Sequence, residues 1–233
     1  LLGQDVGILG GAYGVTGDLY HKYGPDRIID SPLAENAIVG FGIGAAMTGW
    51  RPIMEIMKMD FSMCSLDPIV NHLAKYRYMS GGQIEKMPGV VRTAIGGGTR
   101  SGPHHSQSVY GLFAAFPGLK VVCASTPEDA KGLLKSAIRD DDPVVFLEHK
   151  LLYAHKEEIP DGEYTIPLGA ADVKRAGRDL TIITWSREVH FALEAAQTLE
   201  AEGIDVEVLD LRTLVPLDWD AIVKSVSKTH NAI

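Results

Sequence analysis

Two short stretches of this chain carry residues that could do chemistry. The first places one acid, Glu35, at the head of an apolar run, Ala34-Glu35-Asn36-Ala37-Ile38-Val39-Gly40-Phe41-Gly42-Ile43-Gly44-Ala45-Ala46-Met47. A carboxylate at the edge of such a surface has to be paired, neutralised or put to use, because an unpartnered charge in an apolar site is costly. The second is His104-His105-Ser106-Gln107-Ser108, which follows the glycine-rich Ile95-Gly96-Gly97-Gly98-Thr99-Arg100-Ser101-Gly102-Pro103. Adjacent side chains of an extended segment point opposite ways, which disfavours a metal pair. One of the two histidines has the right titration range for proton donation near neutrality, and a loop histidine bonded to backbone fits the residue type equally well.

Other patterns read more plainly. Gly40-Phe41-Gly42-Ile43-Gly44 lacks the preceding strand and the spacing of a dinucleotide loop, so its glycines are read as small residues that let another helix approach closely around Glu35. The 95–103 loop has no Gly-Lys-Ser/Thr ending and is read as a flexible connection. Asp140-Asp141-Asp142-Pro143 follows Ala137-Ile138-Arg139; three acids at a helix C-terminus oppose its dipole, which points to a solvated turn, with a bound cation as the alternative. Lys75, Tyr76 and Arg77 read as a basic, aromatic helix end of the interface or capping kind.

The elements that must hold these residues alternate. Apolar, β-branched runs at 27–30, 52–57, 90–93, 120–123 and 144–147 predict strands, most of them buried on both faces. Between them, 38–48, 67–80, 108–115 and 127–139 predict helices, the last with Thr126 as N-cap, Pro127 in the first turn and two acids behind it. That rhythm is an α/β fold with a mostly parallel sheet and helices on both faces. A charged, Pro- and Gly-containing stretch at 155–169 reads as a linker between a first domain, 1–154, and a second, incomplete one, 170–233, with strands at 180–184 and 206–211 and helices at 186–202 and 218–228. The chain opens without methionine and stops at Asn231-Ala232-Ile233, where another strand is expected to start, so both ends read as cut.

A net charge of −8 without a basic stripe argues against nucleic acid as partner and favours small molecules or proteins. No apolar run reaches the ~18 residues of a membrane span. Cys64 and Cys123 lie in apolar surroundings without a close-spaced pair, so both are read as core residues in a reducing compartment, bacterial cytoplasm or mitochondrial matrix.

Several ordered motifs together resemble the beta subunit of the thiamine-diphosphate-dependent 2-oxo acid dehydrogenases, the first component of the pyruvate, branched-chain 2-oxo acid and acetoin dehydrogenase complexes. They are Gln4-Asp5-Val6-Gly7, Lys22-Tyr23-Gly24-Pro25-Asp26-Arg27, the Glu35 run through Gly49-Trp50-Arg51-Pro52, Lys75-Tyr76-Arg77-Tyr78-Met79-Ser80-Gly81-Gly82, His105-Ser106-Gln107 and Ala137-Ile138-Arg139-Asp140. The resemblance implies a transketolase-like pyrimidine-binding domain followed by the start of a transketolase-type C-terminal domain. It also implies that Glu35 hydrogen-bonds a ring nitrogen of the thiamine aminopyrimidine, favouring the imino tautomer that deprotonates the thiazolium carbon. An acid in a dry pocket, with its pKa raised, suits that work.

By the same resemblance Met57 and Phe61 pack on the pyrimidine, and His105 assists acyl transfer to the lipoyl group of the acyltransferase second component. Gly89, Ala137, Ile138, Asp140 and Asp142 fall where some members hold a structural potassium ion, although Gly89 departs from the bulkier residue expected there. The Gly-Asp-Gly motif that binds the diphosphate through Mg²⁺ is missing, since Thr16-Gly17-Asp18-Leu19 lacks the second glycine. In the family that half-site belongs to the alpha subunit of an α2β2 heterotetramer, so the chain is expected to be inactive alone. An acetoin dehydrogenase beta subunit is the nearest alternative, a single-chain transketolase- or synthase-type enzyme a further one. A non-catalytic nucleotide-binding or scaffold module is the alternative of a different class.

Overall fold

The computed structural model describes Leu1–Ile233. Its larger sheet has seven strands, in the order β10-β5-β6-β4-β3-β1-β2. These are β1 (Leu2–Gly3), β2 (Ile29–Asp30), β3 (Ile53–Ile56), β4 (Gly89–Ile95), β5 (Lys120–Ala124), β6 (Pro143–His149) and β10 (Thr213–Val215). The pairs β1–β2, β1–β3, β3–β4 and β4–β6 all run parallel. β4 is buried along its whole length, which is why its sequence reads as an unbroken run and not as an alternation.

Chain contacts divide the molecule into two compact units. Leu1–Val121 with Ala137–Tyr153 forms the first, and Val122–Ser136 with Ala154–Ile233 the second. Helix α5 (Pro127–Arg139) therefore groups largely with later segments. The stretch 155–169 holds no helix or strand and lies along α5: Glu157 accepts from the Glu128 amide at 2.9 Å, Tyr164 donates to the Glu128 carbonyl at 3.0 Å, and the amide of Ile166 donates to the Gly132 carbonyl. Thr126 caps α5 through an Asp129 amide donated to its hydroxyl at 3.1 Å.

The second unit adds a three-stranded sheet, β7 (Asp172–Arg175), β9 (Val206–Asp210) and β8 (Leu180–Thr184), with β7 antiparallel and β8 parallel to β9. Helix α6 (Glu188–Glu200) turns Val189, Ala192 and Ala196 onto Val206 and Val208, a helical spacing that builds one apolar stripe. Helix α7 (Trp219–Thr229) is capped by Asp218, which accepts from the Ala221 amide at 3.0 Å, and residues 231–233 then run beside β8. No helix is long and apolar enough to cross a membrane.

Two sequence expectations fail for local reasons and a third is refined. Segment 67–80 is not one α-helix: Pro68–Leu73 winds as a π-helix, with the Ala74 amide reaching the Ile69 carbonyl, and a short α3 (Tyr76–Met79) follows. Cys64 is exposed, not core. It lies on the 3-10 helix Met59–Ser65, where the three-residue repeat buries Met59, Ser62 and Ser65 and turns Met63 and Cys64 outward. In α2 (Glu35–Met47) the tightly packed glycine is Gly42, where any side chain would strike Met54, while Gly40 and Gly44 face open space.

Candidate functional site

In parallel α/β sheets the chain opens into ligand-binding loops at the C-terminal strand ends. Here β2 ends at Asp30 and a proline-led turn delivers Glu35 to the first residue of α2. β3 ends at Ile56, so Met57 sits just past the strand and Phe61 on the 3-10 helix that follows. β4 ends at Ile95 and leads through the glycine loop to a 3-10 turn, Pro103–His105. Four residues far apart in sequence are thus delivered to one end of one sheet.

Phe61 and His105 meet edge to face, with ring centroids 5.2 Å apart and planes at 82°. Both rings and Met57 are half-buried. His105 Nδ1 is enclosed yet has no hydrogen-bond partner within the chain. Burial lowers the pKa of the imidazole, and the charges of Lys58, His104 and Lys150 lower it further against an opposing pull from Asp60. α2 packs on the same 3-10 helix, where Asn36 Nδ2 reaches the Cys64 carbonyl at 3.5 Å. Glu35 itself is half-exposed and makes no polar contact within the chain, so the dry surroundings expected around it are not closed by this chain's own atoms. An acid left free at a helix N-terminus, at the same end of the sheet as an aromatic edge and an unpartnered imidazole nitrogen, fits one end of a flat ligand that carries a ring nitrogen.

The glycine loop is more ordered than a flexible connection. Gly96 has φ +92° and its missing side chain would strike His149, so only glycine turns the loop over the end of β6. The Gly96 amide closes the base by donating to the Gln107 carbonyl at 3.0 Å. Asp60, buried, accepts from the Gln107 amide at 3.2 Å, and Lys150 Nζ donates to the His105 carbonyl at 2.6 Å. Asp60 and Lys150 carried no signal in the sequence, because each becomes meaningful only when β3, β4 and β6 stand side by side. Deeper in the same unit Arg92 is paired with Glu55 and Glu148, and Tyr153 donates to Glu148 at 3.1 Å. Burial raises the Glu148 pKa despite the adjacent guanidinium.

The acidic turn is not a solvated one. Arg51 donates through Nη1 to the carbonyls of Ile138, at 3.2 Å, and Asp140, at 2.7 Å, and its Nη2 pairs with Asp141. Lys120 Nζ reaches Asp140 at 2.6 Å, Arg77 pairs with Asp142, and the Asp140 amide turns back to the Ala137 carbonyl at 3.3 Å. The Ala137, Ile138 and Asp140 carbonyls among the expected potassium ligands thus already accept from groups of the chain. Gly89 is a buried strand residue whose missing side chain would meet Met54 Cε at 3.1 Å, and no cluster of three or more His, Cys, Asp or Glu residues offers another metal site. At this turn the chain's own donors occupy three of the carbonyls expected to face potassium.

The transketolase pyrimidine-binding domain family matches residues 1–156, and the transketolase C-terminal domain family matches 169–233. The chain is 52% identical to a Bacillus subtilis (strain 168) protein named 2-oxoisovalerate dehydrogenase subunit beta, across 100% of this chain and 71% of that one. Identity is 52% to the pyruvate dehydrogenase E1 component subunit beta of Porphyra purpurea, over 100% of this chain and 70% of the relative. It is 54% to the acetoin:2,6-dichlorophenolindophenol oxidoreductase subunit beta of Cupriavidus necator, over 96% and 66%. Among solved structures, a split-gene transketolase described as an inactive beta4 tetramer superposes with a TM-score of 0.79 at 22% identity, covering 99% of this chain and 71% of the other, a likeness of fold.

Proposed function

Since the chain belongs to the beta-subunit family of the thiamine-diphosphate-dependent 2-oxo acid dehydrogenases, we propose that the crest formed by Glu35, Met57, Phe61 and His105 is its half of a cofactor site shared with an alpha subunit. The reaction is oxidative decarboxylation of a 2-oxo acid with acyl transfer to the lipoyl group of an acyltransferase component. The observation that carries it is the combination of a free Glu35 carboxylate with the Phe61–His105 edge at one end of the sheet.

Thiamine diphosphate supplies the carbanion chemistry that cleaves the bond beside the 2-oxo carbon. Glu35, at the first residue of α2 with no partner within the chain, is the group that would share a proton with the ring nitrogen of the aminopyrimidine. Met57 and Phe61 give the apolar surface against which the pyrimidine lies. His105 presents an imidazole with one nitrogen unsatisfied, a group able to orient or exchange a proton during acyl transfer. The diphosphate and Mg²⁺ are assigned to the alpha subunit of an α2β2 assembly, since Thr16-Gly17-Asp18-Leu19 is not a magnesium motif. At the acidic turn, Arg51, Arg77 and Lys120 engage the acids and carbonyls where the resemblance implies a potassium ion, which in this reading would have to compete with them. Relatives named for branched-chain 2-oxo acid, pyruvate and acetoin lie at 52–54% identity, so the assignment stops at the bond cleavage common to all three.

Glu35→Gln in the assembled enzyme tests the site. Turnover is expected to fall by at least ~100-fold with assembly intact, the cost of losing an acid–base group. Near-normal turnover, or a fully active homomer without any second polypeptide, would contradict the assignment.

A further inference from the structure

We propose that Lys150 is a positioning residue for His105: from the end of β6 its ammonium grips the main-chain carbonyl of His105, fixing the loop that presents the imidazole and setting a positive charge beside it. The proposal rests on the assignment of His105 to the acyl-transfer half of the site.

Lys150 opens the 3-10 helix Lys150–Ala154 that follows β6, and it is only 5% exposed. Its acceptor is a neutral carbonyl, His105 O, at 2.6 Å, and it forms no salt bridge with a carboxylate. A buried ammonium with no carboxylate in ion-pair contact, and Asp60 acting on it only at longer range, is an expensive way to fill space, and an apolar side chain of similar length would stabilise the fold at least as well. Its presence is explained if the charge acts on a neighbour.

The neighbour is the loop 96–107, held at three points. Its base is closed by the Gly96 amide on the Gln107 carbonyl, its far arm by the Gln107 amide on Asp60, and its tip by Lys150. Lys150 is the contact made directly to the residue that carries the imidazole. Four charged or titratable groups face that ring: Lys58 and Asp60 from the segment after β3, His104 from the same turn, and Lys150 from the end of β6. Both lysines and His104 oppose protonation of His105, and Asp60 alone favours it. Burial and Lys58 also lower the pKa of Lys150, against an opposing pull from Asp60, as expected for two ammonium groups and one carboxylate sharing one crest.

The experiment uses the full-length chain in its assembled enzyme and three readouts. One is the pH dependence of diethylpyrocarbonate modification at His105, followed by peptide mass spectrometry. The others are decarboxylation into an artificial electron acceptor and acyl transfer to a lipoyl domain. In Lys150→Met the modification midpoint is expected to move to higher pH and acyl transfer to fall about tenfold, with decarboxylation largely retained. Lys150→Arg is expected to restore both.

An unchanged midpoint in Lys150→Met overturns the proposal, as does an arginine variant as impaired as the methionine one, or equal losses in the two half-reactions. Should Lys150→Met fail to assemble, Lys150→Gln keeps a donor without the charge; a raised midpoint supports the charge effect and an unmoved one refutes it. Normal acyl transfer in His105→Asn would sink the functional assignment instead, and the modification midpoint would still report on Lys150.

Discussion

The crest of the first unit and the acid–base cluster of the second hold similar side chains in opposite states. On the crest, Glu35 has no partner within the chain and His105 has an unsatisfied nitrogen. In the second unit Asp129 is buried and heavily partnered: it accepts from Lys174 at 2.6 Å, Thr126 at 2.9 Å and Ser125 at 3.0 Å, and lies 2.6 Å from Arg212 Nη2. Burial pushes the Asp129 pKa up, but the hydrogen bond and charge of Lys174, then Arg212, outweigh it and hold the carboxyl below its usual range. Lys174 and Arg212 both reach on to Asp172, so the cluster ties the start of α5 to β7 and to the turn after β9. One region leaves polar capacity open to a ligand, while the other turns most of it inward, with Asp129 Oδ1 held against Arg212 by charge without a hydrogen bond. Residue type separates them less than partner count does.

The contrast breaks most visibly under paired substitutions. Glu35→Gln should remove turnover and leave the unfolding midpoint in place, since no contact within the chain is lost. Asp129→Asn should do the reverse to stability, because Lys174 and Arg212, both largely enclosed, lose their fully buried counterion and keep only the part-exposed Asp172 close by. A loss of about 3–5 kcal/mol is expected in urea unfolding, the usual cost of breaking one side of a buried ion pair. Equal stability losses in the two variants would erase the distinction between the regions.

A smaller effect sharpens it through pH. Ser125 lies against both Asp129 and Asp210 but has a single hydroxyl proton to give. The conflict is resolved if Asp210 keeps its own proton and donates it to Ser125, which then donates to Asp129. In agreement, burial first of all pushes the Asp210 pKa up to about 6 from 3.8, against the pull of Ser125, the Arg212 amide and Lys174. A carboxyl whose folded pKa lies above its unfolded one contributes stability that is complete below the unfolded value and lost as pH rises through the folded value. Wild-type stability should therefore carry a component that declines from about pH 4 to pH 6, worth about 2 kcal/mol. Asp210→Asn should abolish that decline, as read from urea midpoints across the window; an unchanged pH profile would place the shared proton elsewhere.

What was legible in the sequence follows the same division. α5 and its Thr126 cap, and β8, match their expected bounds because local pattern decides them. β1, β7 and β10 were missed, being two to four residues long and specified by the sheets they join. Glu35 and His105 stood out by type and setting, whereas Met57 and Phe61 came only through resemblance. Lys150 and Asp60 were invisible, since parallel strand order sets their neighbours. Gly40 and Gly44 read as letting another helix approach because composition shows that a helix face is small and apolar without showing what covers it; within the chain Gly42 is the packed one and the other two face open space.

The smallest expected effect concerns the acidic turn, which resembles a cation site in sequence and the Asp129 cluster in structure. Arg51 already supplies donors to the Ile138 and Asp140 carbonyls, and Lys120 and Arg77 neutralise Asp140 and Asp142. The hydrogen bonds from Lys86 and Arg51 likewise lower the pKa of Asp141. An ion would have to displace a guanidinium already held by the same oxygens. Exchanging K⁺ for Na⁺ at constant ionic strength should shift the thermal midpoint by no more than about 1 °C. Arg51→Met should cost about 1 kcal/mol, as its contacts are partly exposed, and should make the midpoint respond to K⁺, because it frees two carbonyls beside three acids. A wild-type chain stabilised by K⁺ over Na⁺, with Arg51→Met indifferent to the ion, would move the turn from the internally satisfied class to the one that waits for a ligand.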